Sequence, residues 1–244
     1  MSKRNIYILP NLFTTASIVT GFYSMLFAVR ENFILAGWFI VLAVVFDSLD
    51  GTVARLTHSQ STFGMEYDSL SDLVSFGVAP AFISYMWYLR YLDEIGIFLC
   101  IAYLLTGALR LARFNVQSKR SSFVGLPIPA AAMTVISTMF ITIKLNIHIF
   151  GGSLFVILFA AVSFLMISNV RYKGFKHINP GGFKWWKTVG LIPIFVVFLW
   201  KPYFVLFFLS IVYIFSGPAE CMVKVSKRKL LRRRENGKQK DNNF

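Results

Sequence analysis

Apolar runs long enough to cross a membrane recur along this 244-residue chain, and they limit its possible folds more than any other feature. A helix needs about 20 predominantly apolar residues to cross a hydrocarbon core of about 30 Å. Charged residues make up 15% of the sequence, whereas a soluble domain carries about 25%. Backbone polar groups inside a bilayer must be satisfied within the protein, so the chain is predicted to be an all-α polytopic transmembrane helix bundle.

Eight segments are candidate membrane helices, and a count of six is the alternative, because the last two segments are short. Pro193 lies inside the seventh segment and Pro202 separates it from the eighth, so these two are expected to be tilted, kinked or partly re-entrant. We expect a membrane domain over 1–185, additional membrane helices over 186–218 and a basic tail over 219–244. The eight segments are about 12–30, 33–55, 67–89, 95–113, 125–144, 149–169, 187–200 and 203–217.

The positions of Lys and Arg predict the orientation, because cytoplasmic loops carry an excess of these residues. If Lys3 and Arg4 are cytoplasmic, the turns near 113–120 and 171–187 and the tail share that side and hold most of the net charge of +14. The tail is interpreted either as a topology determinant with a disordered end or as a binder of anionic membrane lipids. Nucleic-acid binding is not expected. No signal or organelle presequence is recognised, which favours a prokaryotic inner membrane with both termini cytoplasmic.

Four aspartates interrupt the apolar sequence where the second predicted helix ends and the third begins. The spacings of Asp47 and Asp50 (i,i+3) and of Asp68 and Asp72 (i,i+4) place each pair on one helix face. The connection is short, so the helices should be antiparallel and the two pairs can face each other. Four carboxylates suit Mg²⁺ or Mn²⁺. Two such ions would bind a diphosphate and stabilise charge on the attacking and leaving oxygens.

Two other interpretations of the aspartates remain open. Carboxylates at membrane ends are often solvated helix caps, and in ion-coupled transporters carboxylates line proton and cation paths. A transporter predicts carboxylates spread through the depth of the bilayer, whereas these four cluster near one surface.

Small residues share the aspartate faces. Gly51 and Ala54 continue the stripe of the first pair, and Gly64 lies four residues before Asp68. Small side chains allow a neighbouring backbone or a flat ligand to approach closely. Arg55 follows at the membrane surface, where a guanidinium can bind a phosphate with two hydrogen bonds.

The segment Asp47–Asp72 reads D-x2-D-G-x2-A-R-x8-G-x3-D-x3-D, and it resembles the signature of the CDP-alcohol phosphotransferase family of integral membrane enzymes. The resemblance implies that a hydroxyl attacks the phosphorus next to the lipid alcohol of a CDP-linked donor and that CMP leaves. It also implies a six-helix core around a cytoplasm-facing cavity, usually in a homodimer.

The resemblance also implies roles for single residues. The four aspartates would be metal ligands, and Asp72 would accept the proton of the incoming hydroxyl. Pro10–Thr14 resembles the first-helix segment that lies along the donor diphosphate, although an Asn/Thr helix cap after a proline explains it equally well. The residues expected to contact CDP-diacylglycerol are Asn11, Thr14, Gly51, Ala54, Arg55, Ser61 and Gly64.

Three flanking segments, Ser69–Pro80, Ala108–Asn115 and Phe123–Ala132, resemble the phosphatidylserine synthase branch of this family, which implies L-serine as acceptor. Arg110 and Arg113 share a helical face and could fix the serine carboxylate. Alternatively, they are ordinary positive-inside residues that extend to the interface. Ser75 and Asn115 could add neutral hydrogen bonds. The alternative acceptors are glycerol 3-phosphate, myo-inositol phosphate and choline.

Overall fold

A computed structural model of the protein describes residues 8–57, 59, 61–117, 123–172, 200–219 and 221. These residues form a helical bundle, as the sequence predicts. A π-helical segment (Leu73–Val78) joins α3 to α4, and a 3₁₀ turn (Leu89–Leu92) precedes α5. The helices are α1 (Ile8–Val29), α2 (Phe33–Leu56), α3 (Thr62–Asp72), α4 (Ala79–Trp87), α5 (Asp93–Gln117), α6 (Ile128–Leu145), α7 (His148–Ile167) and α8 (Pro202–Ala219).

Six helical stretches in the described part of the chain are long and apolar enough to cross a membrane. Five of them correspond to α1, α2, α5, α6 and α8, and the sixth is the continuous stretch Thr62–Trp87. The apolar part of α7, Gly152–Ile167, is shorter. Except for Trp200, the predicted seventh segment lies outside the described residues, and the predicted eighth is α8. The bundle is therefore that of an integral membrane protein.

The third spanning stretch starts at Thr62, five residues before the predicted start at 67. Ser61 is the reason, because its backbone is extended and its hydroxyl oxygen accepts a hydrogen bond from the Gly64 amide at 3.0 Å. Such a cap satisfies one of the free amides of the first helical turn. The polar segment before Asp68 is thus already helical.

Helix α1 is the element around which the site end is organised. It packs along α2 and also contacts α3, the π-helical segment and α4. At Gly21 a Cβ atom would lie 2.9 Å from the Cα of Ser75, so only glycine allows this approach. Ser75 is fully buried and donates to the Ser17 carbonyl at 2.9 Å. Small residues and interhelical hydrogen bonds are the usual means of packing helices in a membrane.

Aromatic rings fill the centre of the bundle around α6. Phe76, Tyr103, Phe140 and Phe159 are fully buried, and the Tyr103 hydroxyl donates to the Phe76 carbonyl at 3.0 Å. This bond joins α5 to the π-helical segment. The packing fixes the segment that directly follows Asp72.

Two very short strands flank the α6–α7 pair at the end of the bundle that carries the aspartates. Strand β1 (Phe123–Val124) precedes α6 and pairs antiparallel with β2 (Arg171–Tyr172), which follows α7. Gly125, next to β1, has a φ of +88°, which favours glycine. The pairing places Tyr172 against α8, where its hydroxyl donates to the Ile214 carbonyl at 3.2 Å.

Candidate active site

The carboxylates of α2 and α3 converge, as their spacing predicts. Asp47, Asp50 and Asp68 each have a carboxylate oxygen within 4.8 Å of the others. Asp72 lies one turn further along α3, and its carboxyl group is close to that of Asp47. The two pairs therefore face each other across the gap between the helices, with their charges close together.

These carboxylates have few partners within the described part of the chain. The Oδ1 atoms of Asp68 and Asp72 are buried without a hydrogen bond. No described basic group lies within 4.0 Å of any of the four aspartates, since the ion pair found among these residues is Arg90–Glu31. Buried charges left without partners are costly. An all-oxygen donor set with free buried atoms fits a hard divalent cation, so the site is compatible with a divalent metal ion.

The Asp50 carboxylate accepts a side-chain hydrogen bond from α1. The Thr14 hydroxyl donates to Asp50 Oδ2 at 2.8 Å, and both side chains are buried. Ser71 of α3 donates to the Thr14 carbonyl at 3.2 Å. Thr14, predicted as a donor contact, thus also links α1 to the carboxylate cluster. Of these features, the sequence indicates only that Thr14 lies at the site.

The predicted donor-binding residues surround an open surface. Gly51 is exposed, and no described atom lies within 4 Å of the place where its Cβ would be. Ala54 is half-buried, and Arg55 is exposed with its guanidinium 3.4 Å from the Thr52 hydroxyl. A Cβ on Gly64 would lie 3.1 Å from Ser61 Oγ and 3.7 Å from Asn11 Oδ1. The start of α1 and the start of α3 are therefore neighbours at this surface.

The two arginines predicted to bind serine have different surroundings. Arg110 is 8% exposed, lies over the Phe114 ring at 5.8 Å and is within electrostatic range of Asp47 and Asp72. Arg113 is half-buried and donates to Asn169 Oδ1, beyond the end of α7, at 2.8 Å. The structure brings Arg110 to the carboxylates and engages Arg113 with the segment after α7.

The two neutral residues predicted to bind serine take part in helix contacts. The Ser75 hydroxyl donates a hydrogen bond to the Ser17 carbonyl. The Asn115 amide donates to Ser69 Oγ at 3.1 Å and to Glu66 at 3.3 Å, so it joins α5 to α3.

One residue near the site was missed by the sequence analysis. Tyr213 of α8 lies within electrostatic range of Arg110. No spacing rule could have indicated it, because 102 residues separate Tyr213 from Arg110 and nothing around Tyr213 resembles a motif.

Comparisons with known proteins agree with this geometry. Residues 7–170 match the family described as CDP-alcohol phosphatidyltransferase. A protein of Helicobacter pylori (strain ATCC 700392 / 26695) named CDP-diacylglycerol–serine O-phosphatidyltransferase is 41% identical over 180 residues, covering 71% of this chain and 75% of the relative. A protein of the same name from Bacillus subtilis (strain 168) is 34% identical, covering 69% and 91%.

A third relative carries a different name. The archaetidylserine synthase of Methanothermobacter thermautotrophicus (strain ATCC 29096 / DSM 1053 / JCM 10044 / NBRC 100330 / Delta H) is 41% identical over 167 residues, covering 67% of this chain and 69% of the relative. The family match includes all four aspartates and Arg110. The chain therefore belongs to the CDP-alcohol phosphatidyltransferase family of membrane enzymes.

Proposed function

We propose that this protein transfers the phosphatidyl group of CDP-diacylglycerol to the hydroxyl of L-serine, forming phosphatidylserine and CMP. The observation that carries the proposal is the convergence of four carboxylates beside one buried arginine. Two relatives are named for CDP-diacylglycerol and serine, and a third for archaetidylserine. Serine is the element common to these names, which favours it over glycerol 3-phosphate, inositol phosphate or choline.

The metal ligands in this proposal are Asp47, Asp50, Asp68 and Asp72, which would hold two Mg²⁺ or Mn²⁺ ions. When bound, the ions would neutralise the diphosphate of the donor and stabilise the charge that develops during displacement. The close approach of the carboxylate oxygens and their buried, unpartnered atoms in the described structure support this assignment.

Asp72 is the proposed general base. In the displacement, the serine oxygen forms a bond to the phosphorus next to the diacylglycerol, the bond from that phosphorus to the CMP oxygen breaks, and Asp72 takes the hydroxyl proton. A base must lie within hydrogen-bond reach of the proton that it removes. Asp72 Oδ1 makes no hydrogen bond to the described residues, so it is free to accept one from a substrate.

The donor would bind at the open surface between the starts of α1 and α3 and the end of α2. The bare backbone at Gly51 and the small side chain of Ala54 leave room for the nucleotide, while Arg55 can bind a phosphate. Asn11, Ser61 and Gly64 would contact the donor from the opposite edge. Thr14 would orient Asp50 through its 2.8 Å hydrogen bond.

Arg110 is the proposed partner of the serine carboxylate. Its burial and its electrostatic interaction with Asp47 and Asp72 support this role, because they put a positive charge near the proposed general base. Arg113, Ser75 and Asn115 are proposed to support this pocket from the helix contacts in which they take part. A charge-assisted pair contributes about 1.5–3 kcal/mol, enough to select an acceptor that carries a carboxylate.

The proposed setting is a prokaryotic inner membrane, with the site and both termini facing the cytoplasm. The excess of Lys and Arg in the turns on the aspartate side supports this orientation. The family resemblance supports a homodimer.

An acceptor-substitution assay tests the proposal. Purified protein with CDP-diacylglycerol and Mg²⁺ or Mn²⁺ is given labelled serine, glycerol 3-phosphate, myo-inositol phosphate or choline in turn. We expect labelled lipid and CMP from serine alone. Turnover with another acceptor and none with serine would reject serine but keep the family chemistry, whereas the absence of CMP release with any acceptor would reject the transferase.

A further inference from the structure

The first turns of α1 carry two residues of the proposed donor surface, and both neighbouring helices hold them. The Asn11 side chain lies beside Gly64 of α3, since a Cβ there would be 3.7 Å from Asn11 Oδ1. The Thr14 hydroxyl donates to Asp50 of α2, and Ser71 of α3 donates to the Thr14 carbonyl. The position of this part of α1 therefore determines where Asn11 and Thr14 would meet the donor.

A further bond between α1 and α3 comes from Tyr67. This residue precedes Asp68 by one position, which turns its side chain about 100° away from that carboxylate. The Thr15 hydroxyl donates to the Asn11 carbonyl at 2.7 Å, so its hydrogen is already used. Its oxygen lies 2.9 Å from the Tyr67 hydroxyl and accepts the hydrogen of that group. A chain of two hydrogen bonds therefore joins Tyr67 to the turn of α1 that begins at Asn11.

The Tyr67 ring is supported by its own helix. It stacks on Phe63, one turn earlier in α3, with centroids 5.9 Å apart and an interplanar angle of 14°. Side chains four residues apart on a helix are neighbours, and an aromatic pair there is favourable. The stacking fixes the place of the Tyr67 hydroxyl relative to α3, the helix that carries Asp68 and Asp72. The spacing of α1 and the aspartate helix thus depends in part on a tyrosine outside the carboxylate cluster.

We propose that Tyr67 is a positioning residue for donor binding. Through Thr15 it holds the first turns of α1 against α3, so that Asn11 and Thr14 keep the places at which they contact the CDP-linked donor. The inference rests on the proposed function, because it concerns the donor surface of the same site. It depends on the Tyr67–Thr15 bond and not on a contact between Tyr67 and the donor.

The test compares two Tyr→Phe changes. Tyr67→Phe keeps the ring against Phe63 and removes the hydroxyl. Tyr23→Phe makes the identical change about two turns beyond Thr15 on α1, where the ring packs on Phe39 with centroids 6.0 Å apart. We expect Tyr67→Phe to raise both the Kd and the KM for CDP-diacylglycerol about threefold or more, the loss typical of an interhelical hydrogen bond in a membrane. The serine KM and kcat should stay within about 1.5-fold, and Tyr23→Phe should match the wild type in every constant.

A double-mutant cycle then asks whether the effect passes through α1. Thr15→Val removes the oxygen that accepts from Tyr67, whereas Thr15→Ser retains it. We expect Thr15→Val to weaken donor binding at least as much as Tyr67→Phe does. Adding Tyr67→Phe to Thr15→Val should cause no further loss, because the two changes remove one shared contact. Thr15→Ser should bind the donor as the wild type does.

The outcomes separate this inference from the proposed function. Unchanged donor affinity in Tyr67→Phe, or an equal loss with and without the Thr15 hydroxyl, would overturn the inference and leave the proposed function intact. Equilibrium binding of CDP-diacylglycerol in the presence of Mg²⁺ needs no acceptor, so it tests the inference whether or not the wild type uses serine. Failure of the wild type with serine alone would overturn the acceptor assignment, whereas a wild type that binds no CDP-diacylglycerol would overturn both proposals.

Discussion

Helix α6 and the α2–α3 site both have polar side chains inside an apolar bundle, but they differ in whether these buried groups have hydrogen-bond partners. Helix α6 has a stripe of four buried hydroxyl side chains, here called the α6 stripe. Each of these hydroxyls donates to a carbonyl of its own helix, three or four residues earlier, at 2.7–3.2 Å. The two carboxylates of α3 instead have buried oxygens without partners among the described residues. The α6 stripe consists of Thr134, Ser137, Thr138 and Thr142.

The difference separates the polar groups that serve structure from those proposed to serve chemistry. A hydroxyl that bonds to its own helix adds little cost to burial and needs no ligand. A cluster of close carboxylates disfavours the empty site and gains stability only when a cation or substrate arrives. The carboxylate cluster therefore lowers the stability of the unliganded bundle.

The largest expected effect comes from removing the cation or one of its ligands. Chelation with EDTA should abolish turnover, and Mg²⁺ or Mn²⁺ should restore it. Asp68→Asn should lower kcat/KM by roughly two orders of magnitude or more, because a ligand charge is lost. In metal-free buffer the same variant should melt at the same or a higher temperature, since repulsion with Asp47 and Asp50 is relieved. Full activity in metal-free protein would contradict the metal site.

Asp72→Asn should separate catalysis from binding. An amide cannot take the hydroxyl proton, so kcat should fall by about two orders of magnitude or more. The KM values for donor and serine should change by less than about threefold, because the proposed contacts to both substrates remain. Steady-state kinetics with each substrate varied in turn measures this. A loss confined to donor KM would move Asp72 from proton transfer to donor binding.

Arg110→Ala should raise the KM for serine about tenfold or more and leave the donor KM nearly unchanged. Arg110→Lys should recover only part of the loss, because a point charge does not reproduce the planar fork. Arg113→Ala, which breaks the bond to Asn169, should have a smaller effect on serine KM. If Arg110→Ala weakens the CDP-lipid and spares serine, the arginine belongs to the donor phosphate.

The smallest effect compares one threonine from each region. Thr14→Val removes the hydrogen bond to Asp50 and should lower kcat/KM about three- to tenfold, because the loss of one hydrogen bond to a charged group moves a proposed metal ligand. Thr138→Val removes only a bond to the Thr134 carbonyl of its own helix and should leave the kinetics within about twofold. Equal kinetics for the two variants would show that Thr14 does not position Asp50.

The sequence predicted the aspartate convergence and the helical bundle because both follow from local patterns. Helical spacing places Asp47 with Asp50, and a short connection brings α3 back beside α2. The Thr14–Asp50 bond and the Ser75–Ser17 bond could not be predicted. Each depends on how helices far apart in the chain rotate against each other, and a single sequence contains no period for that.

The π-helical segment Leu73–Val78 adds a consequence for the direction in which the aspartates point. The Ala79 amide bonds to the Val74 carbonyl, five residues back rather than four. In a regular helix each residue turns the chain by about 100°. If the same residues continued as an ordinary α-helix, Asp68 and Asp72 would be rotated by about that angle relative to the half anchored through Phe76 and Tyr103. The direction in which the carboxylates point thus depends on the hydrogen-bond pattern of a segment that carries none of the four aspartates.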